Sequence, residues 1–526
     1  MLLIKNGYIV DGTGKDGFRG DVLVKNSQII KVAKKIDQDM DHILDVRGKV
    51  VSPGFIDTHS HSDLQILINP HIETKIRQGV TTEVLGQDGI SMAPLPKKYI
   101  KDWRKYISGL DGDSNKINWG YKNVKGYLDL LEKKGVCQNV CYLLPHGNVR
   151  MEVMGLKAKI ANRCEIEKMK DVVKREMEAG CVGLSSGLIY MPCVYSDTTE
   201  LIELCKVVAK FNGVFVVHQR SEADDILTSI NEVVDIGRKS NVKIHFSHFK
   251  ICGKKNLDKI YEIINILENS KKEGIQISFD QYPYTAGSTM LDVVLPPWAH
   301  DGGVTNMLKR LKDKDLRKKM VCDIEMGIKG WDNLINLSGF DGIYITDVKT
   351  KKNQDIIGKN LIEIGNIKKK DPCEAVFDLL IEEKNAVSMV DFCGNEDVVS
   401  IFMKRPEQNV CSDGIFGGKP HPRVYGAFPR VLGKYVREDK VLALEEAIYK
   451  MTYKAAKVLG IYDRGIIKEG MKADIVIFDK DKIKDMGTYE NPKQYPEGIN
   501  YVIVNGKVVL ANDVYNRKLE GAVLRV

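Results

Sequence analysis

No apolar run in this chain of 526 residues approaches the length of about 20 that a membrane-spanning helix needs, so no membrane partner is expected. The opening Met1-Leu2-Leu3-Ile4 is too short an apolar stretch for a secretory signal and turns at once at Asn6-Gly7. A cytoplasmic protein is the expectation. Low-complexity linkers and solenoid repeats are absent, which excludes fibrous and repeat architectures. A disulfide framework is missing too. Several of the eleven cysteines, such as Cys141, Cys181, Cys205 and Cys393, sit inside apolar or helical runs and read as buried free thiols. Cys137 and Cys141 are spaced like neither a zinc knuckle nor a redox pair. Nor is there a long block of one charge: the formal +8 arises from 79 basic residues interleaved with 71 acidic ones, and clusters such as Lys368-Lys369-Lys370 are short. That pattern is a solvated surface and excludes nucleic acid as the expected partner.

What is present is a composition of 43% hydrophobic and 29% charged residues, that of a globular protein long enough for one large α/β domain with an appendage. Residues 1 to about 50 read as short strands broken by turns such as Asp11-Gly12-Thr13-Gly14. The far end gives strands at 474–479 and 500–509 with an Asn505-Gly506 hairpin. Between them, apolar strands alternate with helical periodicity, the pattern of βαβ units. Val80-Gly86, Val140-Leu144, Gly183-Ser185, Val214-Val217, Lys243-Phe246, Gln276-Phe279, Ser388-Val390 and Asn409-Cys411 are eight candidate strands, enough for a (β/α)₈ barrel. Polar residues gather just after them, where barrel enzymes keep their sites. The alternation fails between Ala286 and about Thr346, which reads as an insertion and a lid over the rim. One helix over Leu442–Leu459, apolar along Leu444, Ile448, Met451, Ala455 and Val458 and ending at Gly460, is expected to close the barrel.

The segment around which the rest is arranged is Val50-Val51-Ser52-Pro53-Gly54-Phe55-Ile56-Asp57-Thr58-His59-Ser60-His61. It reads as a short buried strand, and residues two apart on a strand point the same way. His59 and His61 therefore project side by side, able to share one metal ion or clamp two. This Pro-Gly-Phe-Ile-Asp-Thr-His-Ser-His run resembles the first metal-binding strand of the amidohydrolase superfamily. Later segments narrow the resemblance to the N-acyl-D-amino-acid deacylase (D-aminoacylase) family, over essentially the whole chain. It implies a barrel flanked by a small β-sandwich built from both chain ends: residues 1–52 and 461–526 in the sandwich, 53–285 and 347–460 in the barrel, and 286–346 inserted.

Further along, Gly86-Gln87-Asp88-Gly89 carries a strand out onto the rim and places Asp88 to meet the metals. Well-known members of the family carry cysteine there. A harder oxygen ligand widens the choice from zinc to cobalt, manganese or iron, one or two ions in all. His218 and His248 end successive strands, and the resemblance makes both metal ligands. His245 falls on the opposite strand face and is left out. In Ser412-Asp413-Gly414 the family's aspartate touches the metal and acts as general base. A carboxylate there can take a proton from metal-activated water and hand it to the departing nitrogen. By resemblance, Arg423, Lys250, Tyr190 and Tyr282 receive the substrate carboxylate, and arginine can do so by two parallel hydrogen bonds. His146 to Arg150 ends another strand and lacks a role. The implied activity is hydrolysis of N-acyl-D-amino acids, with the D preference resting on the resemblance alone. Two rivals stay open: a cyclic amidase of the hydantoinase or dihydroorotase type, which usually carries a bridging carboxylated lysine that this chain lacks on any strand exit, and a silent barrel that only binds.

Overall fold

In the computed structural model, which describes every residue except 39 and 41, eight short strands form the centre. They are Phe55–Asp57 (β1), Val80–Leu85 (β2), Asn139–Pro145 (β3), Gly183–Gly187 (β4), Val214–His218 (β5), Lys243–Phe246 (β6), Ile277–Gln281 (β7) and Gln408–Val410 (β8). All pair in parallel, in the order β8-β7-β6-β5-β4-β3-β2-β1. Strands such as Val214-Phe215-Val216-Val217-His218 are buried at every position, as a parallel sheet covered on its outer face and filled within requires. The cover is amphipathic helices. Arg163–Glu178 opens on a capping box between Asn162 and Glu165 and turns Ile166, Met169, Val173 and Met177 inward.

The ladder does not run directly from β8 to β1, and the seam is closed by other means. At the rim the Asp413 amide donates to the His59 carbonyl at 2.9 Å and the His61 amide to the Gly414 carbonyl at 3.3 Å. Below it, the Ser412 amide donates to Asp57 Oδ1 at 2.8 Å, and Lys75 Nζ donates to Asp57 Oδ2 at 2.6 Å and to Ser412 Oγ at 2.8 Å. Glu83 Oε2 lies 3.6 Å from the same amine. Gly54 lets β1 approach β2: a Cβ there would stand 2.1 Å from Thr81 Oγ1.

Both chain ends share one nine-stranded sheet, in which Val50–Pro53 pairs with Leu2–Ile9 and with Ile475–Phe478. The Asn505-Gly506 hairpin forms, with φ of 47° and 79°. Among the described residues no helix is long and apolar enough to cross a membrane.

Three expectations are corrected. Ser388-Val390 is a strand, but Val387–Asp391 pairs antiparallel with Gly287–Met290 and Ile343–Val348 in a separate three-stranded sheet. The eighth place in the barrel belongs to β1. Because Val387–Asp391 is buried at every position, its sequence reads like a barrel strand. No residue between Gln281 and Gln408 joins the barrel sheet, so the inserted body extends well past 346. The helix expected over 442–459 is two, Leu444–Met451 and Tyr453–Val458, broken at Thr452 (φ −132°, ψ −94°), whose hydroxyl donates to the Ile448 carbonyl at 2.6 Å. Both pack on β1 and β8, so they cover the seam as expected of the single helix.

Lys75→Met would leave Asp57 and Glu83 buried without their cation. Urea unfolding is expected to show a loss of about 3–5 kcal/mol, the cost typical of breaking a buried pair by removing one partner.

Candidate active site

The C-terminal ends of the barrel strands bring the six residues expected to hold metal into one buried cluster. His59 and His61 follow β1, with their Nε2 atoms 3.3 Å apart. His218 ends β5 and His248 follows β6; His218 Nδ1 lies 2.9 Å from His248 Nε2. Asp88 stands between the two groups: Oδ2 is 3.6 Å from His59 Nε2 and 3.5 Å from His61 Nε2, while Oδ1 is 3.7 Å from His248 Nε2. Asp413 Oδ1 closes the far side, 3.3 Å from His61 Nε2 and 3.6 Å from His59 Nε2. Asp88, His248 and Asp413 all have positive φ, of 53°, 35° and 47°. Such backbone is costly for residues other than glycine and is held only where the surroundings impose it.

The donor set fits divalent ions. Separations of 3.3 to 3.7 Å between His59 and His61, and from Asp88 and Asp413 to the imidazoles they face, are those of neighbouring ligands about 2.0–2.2 Å from one centre. Asp88 Oδ1 and His59 Nδ1 are buried and lack any hydrogen-bond partner. Electrostatics point the same way. Burial opposes ionisation of Asp88, yet the imidazoles of His59, His248 and His61 hold its carboxyl well below the usual range. Burial likewise opposes ionisation of Asp413, and Arg423 and His59 outweigh it. Burial lowers His218 to about 4, leaving the neutral imidazole that metal coordination requires. His61 is driven up to about 10 against its burial by Asp413 and Asp88. This is a demand for positive charge that a cation would meet.

The residues expected to receive substrate lie around this cluster. Arg423 is fully buried; Nη2 lies 3.0 Å from Asp413 Oδ2 and donates to the Ser288 carbonyl at 3.1 Å, while Nε and Nη1 have no partner. Its guanidinium lies over the Tyr282 ring at 4.4 Å. Lys250 Nζ donates to Glu222 Oε1 at 2.8 Å and lies 3.0 Å from His248 Nδ1. The Tyr190 hydroxyl is 2.9 Å from Thr289 Oγ1, and its ring lies 5.5 Å from that of His218. One cavity reaches His61, Asp88, His218, His248, Lys250, Tyr190, Tyr282 and Asp413. His146 stays out of it, held between Ser186 Oγ at 2.9 Å and Glu200 Oε1 at 2.7 Å. His245 also faces away, with Nε2 2.9 Å from Asp280 Oδ2. Sequence reasoning misses Glu222, which the fold sets against His218 and His248 as a third donor. Nothing in its local sequence marks it beyond standing four residues after His218.

Comparison with known proteins agrees with this geometry. The model of the amidohydrolase family matches residues 42–323 and 409–510. D-aminoacylase of Alcaligenes xylosoxydans xylosoxydans is 30% identical over 99% of this chain and 97% of its own length. N-acyl-D-glutamate deacylase of the same organism is 31% identical over 97% of this chain and 93% of its own. The chain belongs to the N-acyl-D-amino-acid deacylase family of the amidohydrolases. Among solved deacylases, the N-acyl-D-glutamate deacylase from Bordetella bronchiseptica superposes with a TM-score of 0.85 at 30% identity, covering 100% of this chain and 99% of that one. That deacylase was captured with zinc and a phosphonate inhibitor that mimics the reaction's tetrahedral intermediate.

Elemental analysis of the purified protein is expected to find divalent metal. Asp88→Ala removes the carboxylate that faces both groups of imidazoles and is expected to lower the bound metal under the same dialysis. An unchanged metal content would show that Asp88 is not a ligand.

Proposed function

We propose that this chain hydrolyses the amide bond of N-acyl-D-amino acids, releasing a carboxylate and a free D-amino acid, with one or two zinc ions held by His59, His61, Asp88, His218, His248 and Asp413. The observation that carries this reading is the position of Asp413, which faces His59 and His61 through Oδ1 and Arg423 through Oδ2. A bound divalent ion would polarise the scissile carbonyl and lower the pKa of its water to about 7.

The chain's own residues supply the remainder. Asp413, kept ionised against its burial by Arg423 and the imidazoles, accepts the water's proton at Oδ1 and returns it to the leaving nitrogen. An amine departs poorly from an amide without that proton. The free Nε and Nη1 of Arg423, the ammonium of Lys250 and the buried hydroxyl of Tyr282 provide the donors for the substrate's carboxylate. Burial and the neighbouring carboxylate of Asp88 keep the Tyr190 phenol protonated, so it can donate to a developing oxyanion. At the position between the two groups of imidazoles stands Asp88, where a cyclic amidase would usually carry a modified lysine. A cytoplasmic setting suits the eleven unbridged cysteines.

Amine release from matched N-acetyl-D and N-acetyl-L amino acids tests the reading. Release from the D series only is expected, with kcat falling by about 10²–10⁴ in Asp413→Asn. Arg423→Met is expected to raise KM as well as to lower kcat, since it touches both Asp413 and the carboxylate site. Equal turnover of both enantiomers, or turnover of cyclic amides alone, would refute it.

A further inference from the structure

Two of the eleven cysteines meet across the boundary between the barrel and the inserted body. Cys252 follows β6 on the loop that carries Lys250, and Cys393 follows the strand Val387–Asp391 of the three-stranded sheet. Their sulfurs are 2.9 Å apart, the one thiol-to-thiol hydrogen bond among the described residues. Backbone bonds hold the contact from both sides. The Gly253 amide donates to the Cys393 carbonyl at 2.9 Å, and the Cys252 amide to the Glu222 carbonyl at 2.8 Å. Ala223 and Leu337 pack around the pair.

The two thiols are buried without being sealed. Cys252 is 2% exposed and Cys393 7%, and both line the cavity at the metal cluster. A small uncharged molecule in that cavity meets the sulfurs, whereas a bulky reagent or the thiol of a second protein does not. The hydrogen bond between them lowers the Cys252 thiol and raises that of Cys393; burial raises both, and each ends above its ordinary range. Neither is a ready nucleophile on its own. The geometry favours what they can do together.

We propose that Cys252 and Cys393 form a redox-sensitive dithiol, which a peroxide converts into a disulfide that ties the inserted body to the barrel beside Lys250 and slows turnover. One thiol gives up its proton and attacks a peroxide oxygen, the O–O bond breaks, and a sulfenic acid and a water are formed. The second sulfur then displaces the sulfenic oxygen, which leaves as another water. Both thiol protons and a pair of electrons thus pass from sulfur to the peroxide. A disulfide has an S–S bond of about 2.05 Å, so the sulfurs have only a short way to close. The bridge links positions 141 apart in the chain, a constraint that restricts the unfolded state. Cys252 stands on the barrel side of the cavity and Cys393 on the side of the inserted body, so the bridge also holds the two walls together against the passage of substrate and product.

The test treats the full-length, zinc-loaded protein with hydrogen peroxide, unfolds it in iodoacetamide, digests it without reduction and maps the peptides by mass spectrometry. A peptide joining Cys252 to Cys393 is expected, and it is expected to vanish on adding dithiothreitol. The exposed Cys164 and Cys322 report whether the oxidant acted. With the bridge, the midpoint of urea unfolding is expected to rise, and kcat for an N-acyl-D-amino acid to fall about threefold and recover with dithiothreitol. Neither change is expected in Cys393→Ser treated alike. Alkylation of both Cys252 and Cys393 after Cys164 and Cys322 have been oxidised would overturn the proposal, as would a bridge that leaves kcat untouched. The peptide map decides the bridge by itself. Absence of turnover before any oxidation would count against the deacylase reading alone.

Discussion

The structure depends on how the barrel is closed where its hydrogen-bond ladder stops. Asp57 accepts from the backbone of Ser412 and from the ammonium of Lys75, entirely out of water. A buried ion pair of this kind adds little net stability over apolar packing, yet it fixes a register that apolar contacts leave loose. Here the register is what matters. His59 and His61 stand two and four residues after Asp57, and Asp413 is the residue after Ser412. Their donor atoms meet within 3.3 to 3.6 Å because the seam beneath them is pinned.

The inserted body does for the pocket what the seam does for the metal cluster. Its first strand carries Ser288 and Thr289, which receive Arg423 and meet Tyr190, so two residues proposed to meet the substrate are positioned from outside the barrel. The same body also supplies Leu295, Trp331 and Leu334 to a cavity wall beside Tyr190 and His218. The barrel thus supplies the cluster of imidazoles and carboxylates, and the addition supplies the wall beside it.

Much of this was legible in the sequence, for identifiable reasons. The His-x-His strand was readable because strand periodicity puts alternate residues on one side, and the parallel strands because apolar runs buried on both faces have a plain signature. That same signature made Ser388-Val390 look like a barrel strand, since burial in a small antiparallel sheet writes the same residues. The break at Thr452 was illegible: the apolar face continues across it, and only the side-chain bond to the Ile448 carbonyl marks the interruption. Glu222 was missed because it belongs to no local motif. It acquires its meaning from His248 and Lys250, brought in from the next strand.

The pairing of Val50–Pro53 with Ile475–Phe478 also sets an order of events during synthesis. The strand that leads directly into β1 has one neighbour near the start of the chain and the other more than 400 residues later. Until the ribosome has delivered residues 408 to 414 the seam has only one side, and until it has passed 478 the first strand of the centre is anchored on a half-built sheet. A nascent chain of this protein therefore carries one unpaired barrel edge through most of its translation, and the barrel can close only near the end of synthesis.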